Sequence, residues 1–163
     1  MAIRKFSLDD LDALIEIEDM TFARTAFSRR TFLRFHADSR SAFVVWVDDG
    51  EVCGYVIASL CSSASFLYIA SLAVKEDSRR KGIGSALVRE ILRAGGEAGV
   101  SGVWLHVRVS NGAAREFYKK LGFEVLRKAP DYYREEDAYV MGRRLRGNPS
   151  DRQDATAQKS EHR

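Results

Sequence analysis

The chain has 163 residues, 45% of them apolar, enough for one ordinary domain with a real core. Its 26 basic and 23 acidic side chains leave a formal net charge of +3, too small and too scattered an excess to make nucleic acid the main ligand. A first segment charged within ten residues, and no apolar run near ~18 residues, argue against a secretory signal or a membrane span.

In chain order, "AIRKF" predicts a short strand. "SLDDLDALIEIEDMTF" predicts a helix opened by a capping box from Ser7 to Asp10, with Leu11, Leu14, Ile15 and Met20 among its apolar positions. Ser28 has the place of an N-cap for a second helix through "RRTFLRFHAD". "SAFVVWV" and "VCGYVIASL" form a hairpin with Asp49-Gly50 at its tip, and "SFLYIASLAV" is apolar on both parities, as for a strand buried on both faces. A helix follows from Ile83, ended by Gly95-Gly96. Then come a strand "SGVWLHVRV", a helix "NGAAREFYKKL" with Asn111 as N-cap and Gly122 as terminator, and two closing strands, "FEVLRK" and "DAYVMGRRL". The order β-α-α-β-β-β-α-β-α-β-β gives an α/β fold with a mixed sheet, because the strand-helix-strand passage through residues 66 to 109 demands a parallel crossover. Residues 146 to 163 have almost nothing to bury and are expected to be a disordered tail on a domain of residues 1 to 145.

Cys53 and Cys61 fall in one expected strand, roughly 26 Å apart and too far for a disulfide. Without a C-x-x-C pair, and with only His36, His106 and His162 scattered along the chain, no metal-ligand spacing is present. A soluble protein of the reducing cytoplasm is expected.

The segment "SRRKGIGSAL" sets Arg79, Arg80 and Lys81 before Gly82 and Gly84 at the start of a helix. Bare N–H groups of a first helical turn attract an anion, and glycines let it come close. A nucleoside triphosphate loop would need Gly-Lys-Ser/Thr, which is absent, and a dinucleotide fingerprint would need a small residue where Leu87 stands. An anion cradle and a tight strand-to-helix turn with solvated charges both remain open on these residues alone.

Taken together, "SLAV", "RRKGIG", "SALVREIL" and "LHVRVSNGAAREFYKKLGFE" resemble the GNAT superfamily of acetyl-CoA-dependent N-acetyltransferases, over residues 1 to about 145. The later "YYREEDAYVM" is similar to the protein N-terminal acetyltransferases of the RimI and Ard groups. The resemblance implies a central sheet of about seven strands flanked by about four helices, with the fourth and fifth strands splayed. It implies acetyl-CoA as cofactor, its pyrophosphate held by Arg79, Arg80, Lys81, Gly82, Ile83, Gly84 and Ser85. The pantetheine arm would pair with the backbone of Leu72, Ala73 and Val74, and Asn111 would lie close to it, although helix capping alone accounts for that residue. The acceptor implied is the α-amine of a polypeptide N-terminus, with a nascent chain at the ribosome as one source. Membrane and nucleic acid are not expected partners.

An α-amine of pKa about 7.7–8.0 is partly neutral near pH 7.5, whereas freeing a lysine of pKa about 10.4 costs roughly 4 kcal/mol. Little is therefore asked of a base, and His106, with an ordinary pKa near 6.5, suits that task. In the resembling eukaryotic enzymes of the NatE kind, a histidine in "LHV" and a tyrosine in the preceding strand act together through a water, and Tyr68 matches that tyrosine. The RimI group tends to carry an acidic residue at the His106 position, which sets this chain apart from it. Tyr118 lies on a helical apolar stripe, and its family position implies the proton donor to the departing thiolate. A backbone N–H near Leu72 to Val74 would meet the oxygen that gains charge.

Tyr132 and Tyr133, in the polar connection "PDYYREED", would close over the acceptor together with the loop "FARTAFS", where Thr25, Ala26 and Phe27 replace the Phe-Pro pairing of relatives. Phe27 and Tyr133 as walls imply an uncharged first residue. The competing readings are acetylation of lysine side chains or a small amine, and an acetyl-CoA sensor without turnover.

Overall fold

The computed structural model describes residues 1–61 and 65–145. The tail expected at 146 to 163 lies outside them. Eleven elements follow in the expected order: β1 (Ala2–Lys5), α1 (Leu11–Phe22), α2 (Arg29–Ala37), β2 (Ser41–Asp48), β3 (Glu51–Leu60), β4 (Phe66–Val74), α3 (Ile83–Ala98), β5 (Gly102–Arg108), α4 (Gly112–Lys120), β6 (Glu124–Tyr133) and β7 (Glu136–Arg144). They build one seven-stranded sheet of order β1-β2-β3-β4-β5-β7-β6, antiparallel throughout except where β4 meets β5.

Helices cover both faces of that sheet. Leu87, Val88 and Ile91 of α3 and Tyr118 of α4 pack with Val56, Leu105 and Met141 on one side. Leu11, Leu14 and Ile17 of α1 and Phe32 of α2 pack with Phe43, Tyr55 and Ile57 on the other. Full burial of each such side chain contributes about 1.5–3 kcal/mol, so the strand alternation and the helical stripes place the core without further help. The β2–β3 hairpin turns at Asp49 (φ 47°) and Gly50 (φ 80°), the two left-handed residues of a twist-matching tight turn.

Three boundaries differ from expectation. The first turn after Ser7 is a 3-10 turn, Leu8–Asp10, and the buried stripe of α1 is Leu11, Leu14, Ile17 and Glu18, with Met20 exposed. Asp10 still closes the capping box, accepting from the Ser7 N–H at 2.8 Å, and is held further by both Arg4 guanidinium nitrogens at 2.7 and 2.8 Å. Helix α3 runs past Gly95-Gly96 to Ala98 and ends at Gly99 (φ 75°). Gly95 is there for packing, since a Cβ would meet Val100, Leu145 and Leu67 at 3.0 to 3.1 Å. The connection expected around Tyr132 and Tyr133 is instead strand: β6 continues to Tyr133, which pairs with Glu136 across a short turn.

What shapes the molecule for function is the gap between β4 and β5. Their parallel pairing covers only Phe66–Tyr68 against Gly102–Trp104. Immediately beyond, Ile57 pairs with Ser71 and Ala58 with Ile69, so Ala70 is an extra residue on β4. An extra residue bends its strand away from its neighbour. The two strands therefore part where the bulge sits, as the resemblance implied.

Candidate active site

The parting of β4 and β5 opens a cavity of about 640 Å³ lined by Ile69, Ala70 and Leu72 of β4, His106 and Arg108 of β5, Asn111 and Tyr118 at α4, and Thr25 and Phe27 of the α1–α2 loop, with Tyr133 at its mouth. A second cavity of about 1050 Å³ shares Phe27, Ile69, Ala70, His106 and Tyr133 with it and adds Tyr68 and Tyr132. Tyr68, Leu72, His106, Asn111, Tyr118, Thr25, Phe27, Tyr132 and Tyr133 thus converge from distant parts of the chain on this opening, whereas Val74 and the run from Arg79 to Ser85 line neither cavity. Ala26 lines neither cavity, and Ala73 is buried in the core beneath α1.

At the centre of the opening, Tyr68 Oη and His106 Nδ1 share a hydrogen bond of 3.0 Å. Tyr132 stacks on the imidazole, centroids 3.8 Å apart and planes 8° apart, and its hydroxyl lies 3.3 Å from Tyr68 Oη. Tyr133 packs edge-on against Tyr132 at 4.9 Å and lies beneath the Arg108 guanidinium at 4.0 Å. Glu136 reaches Arg108 at 3.5 Å and accepts from the Ser110 N–H at 2.6 Å, which holds the β6–β7 turn against β5. The side chains of alternate β5 residues explain this order: Trp104, His106 and Arg108 share one face of the strand, and Leu105 and Val107 go to the core.

Burial sets the protonation states. The His106 ring is pushed down to about 4 by loss of water, with Arg127 adding repulsion, so the ordinary value near 6.5 expected for it gives way to an imidazole that is neutral at every physiological pH. Burial lifts the Tyr68 and Tyr118 phenols well above their usual range, and it pushes Tyr133 up to about 12. Tyr118 is packed between Phe117 and Phe123, yet lines the cavity, and its hydroxyl has no hydrogen-bond partner among the described residues.

The glycine loop before α3 holds two left-handed residues, Arg80 (φ 65°) and Gly82 (φ 81°). A left-handed arginine costs roughly 1–2 kcal/mol, a strain of the sort kept at ligand sites. Arg80, Lys81 and Gly82 are exposed, with the N-terminus of α3 behind them. Arg79 is directed to the strand edge, donating through Nε to the Val74 carbonyl at 2.9 Å and approaching Thr21 Oγ1 at 3.4 Å. At Gly84 a Cβ would make only ordinary contacts, with Phe117 at 3.4 Å and Val74 at 3.7 Å, so the core there tolerates a methyl group. Asn111 does cap α4, accepting from the Ala114 N–H at 3.0 Å, while also lining the cavity.

Sequence reading missed Glu18. This carboxylate is 1% exposed in α1 and lines the cavity, and burial pushes it up to about 7. Its spacing, seven after Leu11 and four after Leu14, sets it on the apolar stripe, and that was the signal available. Ala70 was missed as well, since a bulge leaves no mark on an apolar run.

A seven-stranded mixed sheet that parts between its two parallel strands, with helices packed on both faces, is the fold that frames this site. The chain belongs to the acetyltransferase (GNAT) family, whose model matches residues 11–123. It is 35% identical to an N-alpha-acetyltransferase of Sulfurisphaera tokodaii over 85% of this chain and 90% of that one. It is 29% identical to the ribosomal protein bS18-alanine N-acetyltransferase of Escherichia coli, over 85% of this chain and 94% of the other. Ard1 of Thermoplasma volcanium superposes with a TM-score of 0.81 at 33% identity, covering 88% of this chain and 97% of that structure. Membership makes the protein an acetyl-transfer enzyme and implies acetyl-CoA as its cosubstrate. Among the described residues no helix is long and apolar enough to cross a membrane.

Proposed function

We propose that the protein acetylates the free α-amine of a polypeptide N-terminus by direct attack in a ternary complex. The observation that carries this reading is the hydrogen-bonded pair Tyr68–His106, placed at the opening of the sheet and covered by Tyr132. Similarity to enzymes named N-alpha-acetyltransferase supports the acceptor class. Residues 1 to 145 form the acting domain in this reading, and the buried free thiols of Cys53 and Cys61 suit a reducing cytoplasm.

When bound, acetyl-CoA supplies the activated acetyl thioester. The backbone N–H groups of the loop and first turn from Arg80 to Gly84, at the N-terminus of α3 and with Arg79, Lys81, Ile83 and Ser85 around them, suit its pyrophosphate. The unpaired edge of β4 at Leu72, Ala73 and Val74 fits the amide-bearing arm and leaves a backbone N–H for the oxygen that gains charge. In the tautomer of neutral His106 that donates from Nδ1 to Tyr68 Oη, Nε2 is left as an acceptor for the amine proton, directly or through a water. Tyr118 stays protonated and is the donor to the departing thiolate. Thr25 and Phe27 on one side and Tyr132 and Tyr133 on the other enclose the incoming terminus.

The acceptors differ by their own acidity, whatever the base: freeing a lysine near 10.4 costs roughly 3.5 kcal/mol more than freeing an α-amine near 7.8. A site whose one nearby base is a ring pushed down to about 4 offers nothing to make up that difference, which favours the α-amine reading. The deciding experiment compares a Met- or Ser-starting peptide with its N-terminally blocked, lysine-containing counterpart. Turnover of the free peptide is expected, and turnover of the blocked peptide alone refutes the proposal.

A further inference from the structure

Glu18 is a buried acid with no task in the chemistry above. Its neighbours on α1, Leu11, Leu14 and Ile17, are apolar core, so an apolar side chain there would complete the stripe. Instead its two oxygens face two different parts of the molecule. Oε1 accepts from the Phe27 N–H at 2.8 Å, and Oε2 accepts from the Tyr55 hydroxyl of β3 and the Ser71 hydroxyl of β4, the latter at 3.4 Å. The Tyr55 and Ser71 hydroxyls lie 3.1 Å from each other, closing a small buried network.

That arrangement joins a loop to the sheet. The other hydrogen bonds of residues 23–27 stay within the loop and the end of α1: the Ala26 N–H to the Ala23 carbonyl at 3.2 Å, and the Thr25 hydroxyl to the Phe22 carbonyl at 3.0 Å. Ala23 itself is left-handed at φ 46°, a strained start for the turn. Phe27 is the loop residue common to both cavities, and Ser71 immediately follows the bulge residue Ala70, which also lines both. A burial cost borne by a carboxylate is offset only where its oxygens are taken up by donors, and here the donors belong to the two sides of the acceptor entrance.

We propose that Glu18 is a positioning residue that ties the α1–α2 loop to the bulged part of β4 and so sets the affinity for the acceptor without touching the reacting atoms. The proposal rests on the acceptor entering between Phe27 and Tyr133, as described above. Loss of the tie frees the Phe27 end of the loop while the glycine cradle before α3, which Glu18 does not contact, keeps its grip on the cosubstrate.

The test uses the full chain and three variants, Glu18→Ala, Glu18→Met and Glu18→Gln. Peptide and acetyl-CoA KM, kcat, and amide hydrogen exchange over residues 20–28 are measured for each. Glu18→Ala is expected to raise the peptide KM about tenfold or more and leave the acetyl-CoA KM within about twofold, with faster exchange in the loop. Glu18→Met keeps most of the volume without the acceptor oxygens, should behave the same way, and decides the matter should the alanine variant not fold. Glu18→Gln keeps an oxygen for the Phe27 N–H and should restore the peptide KM to within about threefold of wild type. Unchanged loop exchange in both Glu18→Ala and Glu18→Met, or equal rises in both KM values, overturns the proposal. A wild type inactive on every free α-amine peptide refutes the acceptor reading instead, and loop exchange, which needs no turnover, then decides on Glu18 alone.

Discussion

Replacing His106 by Gln tests the protonation state on which the proposed chemistry depends. In the fold the ring is pushed down to about 4, against an ordinary value near 6.5, because burial strips water from the cation. The unfolded chain therefore takes up a proton that the folded chain refuses. The stabilisation from keeping the ring neutral is fully present above pH 6.5 and is lost as the pH falls toward 4. Between pH 7 and pH 5 the linkage relation removes roughly 2 kcal/mol from the wild type, and about 1 kcal/mol once the ring's partial exposure is allowed for. Urea unfolding of wild type and His106→Gln at both pH values isolates this quantity, because the other acid-titrating groups are common to both proteins. The wild type should lose about 1 kcal/mol more than the variant on that step. Kinetically, kcat should show no ionisation near 6.5 that disappears in the variant, while turnover itself falls by roughly 10²-fold or more. Equal acid losses in the two proteins, together with a kcat limb near 6.5 abolished by the substitution, would refute a neutral buried base.

Three further outcomes follow from the same geometry. Tyr118→Phe removes only a hydroxyl that has no partner among the described residues, so Tm should stay within a few degrees while kcat drops roughly tenfold or more with little change in either KM; an unchanged kcat removes Tyr118 as proton donor. Gly82→Ala places a Cβ in open space but at φ 81°, so the cost is conformational, about 1–2 kcal/mol, visible as a lower Tm and a raised acetyl-CoA KM; a thermally unaltered variant contradicts the left-handed turn. Gly84→Val sets a branched side chain against Phe117, which a Cβ alone already approaches at 3.4 Å, and displaces the first turn of α3. The acetyl-CoA KM should then rise about tenfold or more while the peptide KM changes little, and wild-type cosubstrate kinetics would overturn the cradle assignment.

The chain order of strands and helices, the hairpin at Asp49-Gly50 and the caps at Ser28 and Asn111 were legible from residues alone. Each rests on local physics: periodicity of 2 or 3.6, a turn that tolerates positive φ, or a side-chain oxygen reaching an N–H three residues on. Tyr68, His106 and Tyr118 were reached through resemblance, and the fold brings them to one opening. Tertiary structure decided the rest. Whether β4 and β5 stay together depends on one extra residue at Ala70, and an apolar strand reads the same with or without a bulge. Gly95 reads as a helix stop, yet it answers to Val100, Leu67 and Leu145 pressing on it, side chains that the sequence does not place beside it. The basicities of His106 and Glu18 are set by how much water their surroundings exclude. Desolvation depends on every element packed around a group, so only the assembled fold determines it.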